Sequence, residues 1–321
     1  MAASRKRSSP DPAGQARACL ARHLKPGAQL RAAFSGGVDS VALLHLLARL
    51  APEFPFSLSA VHVHHGLNPG ADAWAAFCLA FCERLGVPCE VVRVNVPRKS
   101  AQGLEAAARR GRYAALCRPG ADAVALAHHL DDQAETVLFQ LLRGGEPRAL
   151  AAMPEARAHD GMLLLRPLLN LPKAELVAYA RRHRLQWVED DSNLDTALAR
   201  NALRQDILPL LEKHFPDYRE RLAGVARRMA EVAVLLEHMA GQDGAAHSEN
   251  ELDCAALKAL PETRSRNLLA RFLRAQGAAL PRPAALREIL RQLTEARGRL
   301  SLPLPDGRRL VRVRNKARIE P

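Results

Sequence analysis

The chain has 321 residues, a length that suggests about two domains. Apolar residues make up 48% and aromatics only 4%, and no apolar run approaches the roughly 20 residues of a membrane-spanning helix, which excludes a helical membrane protein. The net charge of +13, with 40 of 47 basic residues arginine, suggests a polyanionic partner, although a GC-rich genome alone also raises arginine and alanine.

The N-terminus (Ser4-Arg5-Lys6-Arg7-Ser8-Ser9-Pro10) is basic, and no apolar stretch of signal type follows it. A disordered tail is expected over residues 1–19, and the cytoplasm as location. Residues 30–34 predict a strand and 41–50 a helix. Between them stands Ser-Gly-Gly-Val-Asp-Ser at 35–40. Gly36 and Gly37 let the backbone turn sharply and approach a ligand. The helix start offers N–H groups and partial positive charge to an anion. Ser35 and Ser40 add hydroxyls, and Asp39 adds a carboxylate able to hold a divalent cation. A serine-capped glycine turn is the plain alternative, but the strand–turn–helix context favours a phosphate cradle of Ser35, Gly36, Gly37, Val38, Asp39 and Ser40. It lacks the lysine of a Walker loop.

Residues 56–64 predict a second strand, with Val61 and Val63 on one face and His62 and His64 on the other. Adjacent His64 and His65 invite a zinc site, but no third and fourth ligand stand at metal spacing. A polar strand end lining a nucleotide pocket is the better reading. A helix is expected over 71–85 and a strand over 89–96. The six cysteines include no Cys-x-x-Cys pair and read as ordinary thiols in a reducing compartment, not as a metal or iron–sulfur site. Ser100 caps a predicted helix to residue 117, where Glu105, Arg109 and Arg112 share a face. These arginines either make a salt-bridged surface or aim at phosphates.

Residues 123–127 predict a fourth strand, followed at once by His128-His129-Leu130-Asp131-Asp132-Gln133-Ala134-Glu135-Thr136. In the helix expected over 131–143, Asp132 and Glu135 share a face. Carboxylates at a helix start are favourable in themselves, but two histidines beside them exceed what capping needs. The pair could hold Mg²⁺ or a cationic substrate, and the histidines could contact phosphate. Residues 162–165 predict a fifth strand. Alternating strands and helices imply a Rossmann-like parallel sheet flanked by helices. Its ligands sit beyond the carboxyl ends of the strands, where the phosphate loop, His64-His65 and His128-His129 should converge.

Trp187-Val188-Glu189-Asp190-Asp191-Ser192-Asn193 suggests a turn and cap, and Arg200-Asn201-Ala202-Leu203-Arg204 follows. Beyond residue 216 the pattern becomes helical, over 218–240, 262–276 and 283–297, with a loop from Gln242 to Asn250. A closing hairpin is expected, with strands over 300–304 and 308–314 around Pro305-Asp306-Gly307. Residues 216–321 hold 20 basic and 13 acidic residues and read as a smaller, mostly helical domain. In the hairpin, Arg312 and Arg314 are expected to face out together, with Val311 and Val313 behind them, as a ribbon for phosphates.

Taken together these residues resemble the bacterial tRNA(Ile)-lysidine synthetases, of the PP-loop ATP pyrophosphatase superfamily. The resemblance rests on the loop at 35, Val-His-His-Gly-Leu at 63, Glu-x-x-x-Arg-x-x-Arg-Tyr at 105 and the run at 128. It continues with Leu-Leu-Arg-Gly at 141, Arg-Pro-Leu-Leu at 166, Trp-x-Glu-Asp-x-Ser-Asn at 187 and Arg-Asn-x-x-Arg at 200. It implies a PP-loop catalytic domain over 20–215 and a tRNA-binding domain over 216–321. After Leu-Leu-Arg-Gly the family's glycine-rich continuation is replaced by Gly145-Glu146-Pro147-Arg148-Ala149-Leu150, and the chain reads as a short form without the family's last C-terminal domain.

The activity implied is ATP-dependent ligation of L-lysine to C2 of the wobble cytidine of tRNA(Ile) with a CAU anticodon. Asp39, Asp132, Glu135 and Arg112 are the implied catalytic group. The loop residues with His64 and His128 would hold ATP, and Asp39 its Mg²⁺. Arg200, Arg204, Arg312 and Arg314 would contact tRNA; a homodimer is compatible. A tRNA thiolation enzyme on the same fold is one alternative, although the absent Cys-x-x-Cys speaks against it. A non-catalytic basic RNA-binding protein is the other.

Overall fold

Leu30, Ala32 and Phe34 line one side of the first strand, β1 (Gln29–Ala33), and Arg31 and Ala33 the other, so a sheet buried on both faces is built from its centre outward. The computed structural model describes residues 11–66, 68–95, 104–189, 199–244, 250–296 and 298–321. The basic segment before Asp11, the Ser100 cap, the Glu105 side chain, the turn at 191–193 and most of the loop after Gly244 lie outside the described residues. The chain divides into two compact units, Met1–Arg228 and Met229–Pro321.

Unit 1 opens with α1 (Pro12–His23), then β1, α2 (Val38–Leu50), β2 (Ser57–His64), α3 (Ala71–Leu85) and β3 (Cys89–Arg93). It continues with α4 (Leu104–Leu116), β4 (Ala123–Ala125), α5 (Leu130–Leu142), the short α6 (Pro147–Leu150), β5 (Ala156–His159), β6 (Met162–Leu165) and α7 (Lys173–Arg182). The sheet order is β3-β2-β1-β4-β6-β5, parallel throughout except for β5, which pairs antiparallel with β6. α1, α2, α3 and α7 share a core with one face of the sheet, and α4 packs on the other through Tyr113 and Leu116. The parallel order with helical crossovers is the Rossmann-like arrangement expected.

Two elements correct the sequence reading. The tail expected through residue 19 ends sooner, because Pro12–His23 is a helix. Asp11 caps it, its carboxylate accepting from Ala13 N and Gly14 N, and Ala16, Cys19 and Leu20 are fully buried. The edge strand β5 was not expected. It returns on β6 through Asp160 and Gly161, both at positive φ (48° and 78°).

After α7 comes a continuous helical stretch of α8 (Ala199–Ala202), a π-helical turn at Leu203–Ile207 and α9 (Leu208–His214). α10 (Tyr218–Asp243) carries the division between the units. Unit 2 then comprises β7 (Leu252–Asp253), α11 (Cys254–Ala259), α12 (Glu262–Ala275), α13 (Pro283–Glu295), β8 (Leu300–Pro303), β9 (Arg309–Val313) and β10 (Lys316–Glu320). Its core is Leu268, Leu269, Leu273, Leu286, Leu290 and Leu293 of the helices against Leu302, Leu310 and Ala317 of the strands. The expected hairpin is part of a four-stranded antiparallel sheet, β7-β10-β9-β8. Val313 pairs with Lys316, so Arg314 and Asn315 form a two-residue turn, with Arg314 at φ 56°.

Candidate active site

The loop between β1 and α2 is tied by one hydroxyl. Ser40 Oγ accepts from Ser35 N (3.2 Å) and Gly36 N (3.1 Å), and donates to Gly37 O (2.9 Å). Ser35 Oγ lies 3.0 Å from it. No side chain caps Gly37, so the first-turn N–H groups of α2, which Val38 opens, face outward from a thirteen-residue helix. Gly36 has φ 88°, and its carbonyl accepts from Val188 N (2.9 Å), which straps the chain beyond α7 to the loop.

Asp39 stands at the second position of α2. Its Oδ2 lies 3.5 Å from His129 Nε2 and 4.0 Å from Lys173 Nζ. Its Oδ1 is buried without a hydrogen-bond partner in the structure. A buried, unsatisfied carboxylate oxygen beside a phosphate loop fits a hard divalent cation such as Mg²⁺.

α5 brings the acidic side together. His129 is its N-cap, accepting at Nδ1 from Asp132 N (3.4 Å), while His129 N donates to Asp132 Oδ2 (3.0 Å). With Nδ1 accepting, the ring proton sits on Nε2, between Asp39 and Asp132 Oδ2 at 3.4 Å. Burial opposes protonation of His129, but the hydrogen bond to Asp39 and the charges of Asp132, Asp39 and Asp131 outweigh it and raise its pKa. Asp131 accepts from Lys173 N (2.8 Å) and pairs with Arg219. Glu135, whose side chain is 4% exposed, is pushed up by burial, with the charge of Arg204 working against it.

Arg204 binds both expected carboxylates. Its Nε donates to Glu135 Oε2, and its Nη2 donates to Asp132 Oδ1 at 3.1 Å. Arg200 Nε lies 3.9 Å from Glu135 Oε1 and its guanidinium 5.3 Å from the Phe139 ring centre. Two arginines expected to reach RNA are thus gathered on the acid pair.

A basic wall stands at the ends of β2 and β4. Arg166, fully buried, donates from Nε to His128 Nδ1 (3.2 Å) and from Nη1 to Pro154 O (2.7 Å). Burial and then Arg166, Arg112 and Arg109 hold His128 down at about 3, so it is neutral. Arg109 and Arg112 lie over Tyr113, at 5.1 and 5.9 Å from the ring centre. His65, lowered by burial and by Arg112, has a buried Nδ1 without a partner. His64 instead turns to Asp72 on α3, Nε2 to Oδ1 at 3.2 Å. The crevice therefore has an anion-attracting side and a cation-attracting side.

Sequence reasoning did not single out Lys173, Arg219 or Arg166 by role. Lys173 opens α7 behind Pro172, a helix-start signal that went unread. In unit 2, the expected ribbon is corrected. Arg312 is buried, and its guanidinium donates to Leu293 O and to Ala296 O (2.8 Å) at the end of α13, and to Arg314 O (2.7 Å). Arg314 lies in the turn beyond the strand, so the two do not share a face.

The six cysteines are free, and among the described residues no three or more His, Cys, Asp or Glu side chains are arranged to hold a metal ion between them. Among the described residues no helix is long and apolar enough to cross a membrane.

A family model described as a PP-loop domain matches residues 13–211, and one described as a TilS substrate binding domain matches 252–318. The tRNA(Ile)-lysidine synthase of Chromobacterium violaceum is 52% identical over 81% of this chain and 60% of its own length. That of Azoarcus sp. is 47% identical over 88% of this chain and 63% of its own length, so the chain spans about three fifths of these relatives. Among solved structures, a U34-tRNA thiolase from Methanococcus maripaludis with its [4Fe-4S] cluster superposes with a TM-score of 0.59 at 20% identity, over 68% of this chain and 78% of that one; this likeness is one of fold. The chain belongs to the PP-loop family, with tRNA(Ile)-lysidine synthases as its relatives.

Proposed function

We propose that the protein joins L-lysine to C2 of the wobble cytidine of a tRNA(Ile) with a CAU anticodon, consuming ATP and releasing AMP and pyrophosphate. The observation that carries this reading is the Asp132–Glu135 pair. It lies at the carboxyl edge of the sheet, linked through His129 to Asp39 of the phosphate loop, and already holds a cation.

In the first step the cytidine O2 attacks the α-phosphorus of ATP, the bond to the β-phosphate bridge breaks and pyrophosphate leaves. In the second, lysine Nε attacks C2, the C2–O2 bond breaks and AMP carries O2 away. Ser35, Gly36, Gly37, Val38 and Ser40 would seat the phosphates through backbone N–H groups and hydroxyls. Mg²⁺, bound through Asp39, would supply charge neutralisation at the phosphates. Arg112, with Arg109 and neutral His128, would draw phosphate oxygens to the basic wall. The lysine ammonium, with a reference pKa of about 10.4, must lose a proton before it attacks. Glu135, raised by burial, would accept it. Arg200 and Arg314 remain proposed tRNA contacts, whereas Arg312 does not. Thiolation is the weaker reading: burial pushes the Cys78 thiol beside the loop up to about 12, far from a reactive thiolate.

The test is to incubate the protein with ATP, labelled lysine and unmodified tRNA(Ile) bearing CAU. Label should enter the tRNA with one AMP and one pyrophosphate per lysine. Pyrophosphate release without incorporation, here and with bulk bacterial tRNA, would reject the reading.

A further inference from the structure

Arg204 stands where the amine of a substrate would stand. Its guanidinium bridges Glu135 Oε2 and Asp132 Oδ1, and no other cation lies as close to both carboxylates among the described residues. We infer that Arg204 is an internal stand-in for the substrate ammonium group, which exchanges with it on the Asp132–Glu135 pair. This rests on the reading that the pair receives an amine.

Three observations support exchange over a fixed strut. The first is the asymmetry of burial: the Glu135 side chain is 4% exposed and that of Arg204 is 46% exposed. The carboxylate is locked in the fold, whereas the guanidinium has an open path to water. The second is the cost of a lone charge. A buried carboxylate stripped of its partner is strongly destabilising, so Glu135 needs a cation in both the empty and the loaded state. An exchanging arginine meets that need without a permanent block. The third is the carrier. Arg204 lies in the π-helical turn Leu203–Ile207, between α8 and α9. A π turn holds one residue more than the α-helix around it, and its loss would rotate the preceding residues by about 100°. Arg204 therefore rides on a turn whose conversion to regular α-helix would carry its side chain off the pair.

The ligand class follows from the geometry. A guanidinium is broad and planar and spans both carboxylates from the solvent side. A primary ammonium on a flexible alkyl stem is a compact charge with three donors, able to reach between the two acids. The exchange thus selects a long-chain primary amine.

The test uses the full chain and Arg204→Ala, melted with n-butylammonium or methylguanidinium against equal sodium chloride. The variant should melt lower and recover saturably with either probe, while the parent protein barely responds. In lysine transfer, Arg204→Ala should lower the lysine KM several-fold relative to the ATP KM. Equal responses of both proteins to the probes, or a raised lysine KM with a fall in kcat, would make Arg204 a fixed support of the pair and overturn the inference. If Arg204→Ala does not fold, Arg204→Gln is compared in the same way. If the parent protein transfers no lysine, the proposed reaction fails, and the melts still separate the two roles: stronger rescue of Arg204→Ala by n-butylammonium supports a pair built for a primary amine, and stronger rescue by methylguanidinium makes Arg204 a fixed support.

Discussion

Gly36 lies directly over Cys78: a Cβ at position 36 would meet the Cys78 Sγ at 3.2 Å. The sulfur in turn contacts His62 Nδ1 at 3.4 Å, and that nitrogen lies 3.0 Å from Phe34 O, so the ground beneath the loop is filled. Gly36 also has φ 88°, which costs a residue with a side chain about 1–2 kcal/mol. Gly36→Ala should therefore lose ATP-dependent pyrophosphate release and melt lower. Gly37→Ala meets only Ser35 Oγ, at 3.6 Å, and should melt close to the parent protein. Thermal melts with pyrophosphate release assays check both; equal effects of the two substitutions would contradict this account.

Arg312 is expected to matter for folding and not for RNA. Its three carbonyl acceptors end α13 and hold the β9–β10 turn, so removing the guanidinium leaves buried acceptors unpaired. Arg312→Ala should cost about 2–3 kcal/mol in denaturant unfolding. Arg312→Lys should rescue only part of it, because one ammonium cannot replace the planar fork. A tRNA dissociation constant that rises many-fold while unfolding is unchanged would return Arg312 to the RNA surface.

The contrast between α3 and Arg204 shows what could be read in advance. α3 was expected over 71–85 and is Ala71–Leu85, because apolar residues recur along one face and Gly86 ends the helix at φ 67°. The loop at 35–40 and the run at 128–135 were legible because strand, turn and helix lie next to one another in the chain. The pairing of Arg204 with Glu135 crosses 69 positions and depends on a π turn that no periodicity announces. Arg312 was misplaced because strand alternation fixes which residues share a face but not what covers that face; α13 does. The start of α1 was legible, as Asp11 before Pro12, and was hidden by the basic charge in front of it.

His45 should make the fold sensitive to mild acid. Its Nδ1 meets Tyr179 OH at 2.7 Å, and burial, then His183 and Arg49, lower its pKa to about 4. The folded state prefers neutral His45, while in the unfolded chain it titrates near 6.5. Its contribution is therefore intact above pH 6.5 and is lost as pH falls from there to about 4. His45→Asn keeps a polar partner for Tyr179 but does not titrate. Its melting temperature should fall less between pH 7 and pH 4.5 than that of the parent. Parallel curves would assign the acid loss to other groups.

Asp39→Asn should separate chemistry from folding at the loop. The amide is isosteric with the carboxylate, and Oδ1 has no hydrogen-bond partner in the structure, so no bond in the fold depends on that oxygen. His129 Nε2, at 3.5 Å from Oδ2, keeps Asp132 as a partner at 3.4 Å. The melting temperature should therefore stay within a few degrees of the parent, consistent with a loss of less than about 1 kcal/mol. The charge, by contrast, is needed if the buried oxygen binds a divalent cation, because a neutral amide is a far weaker ligand for Mg²⁺. Pyrophosphate release with ATP and tRNA should fall by about 100-fold or more, equivalent to at least ~2.7 kcal/mol of transition-state stabilisation. The magnesium dependence of any residual activity should also shift to higher concentration. A folded Asp39→Asn protein with parental pyrophosphate release and an unmoved magnesium profile would remove Asp39 from the phosphate chemistry.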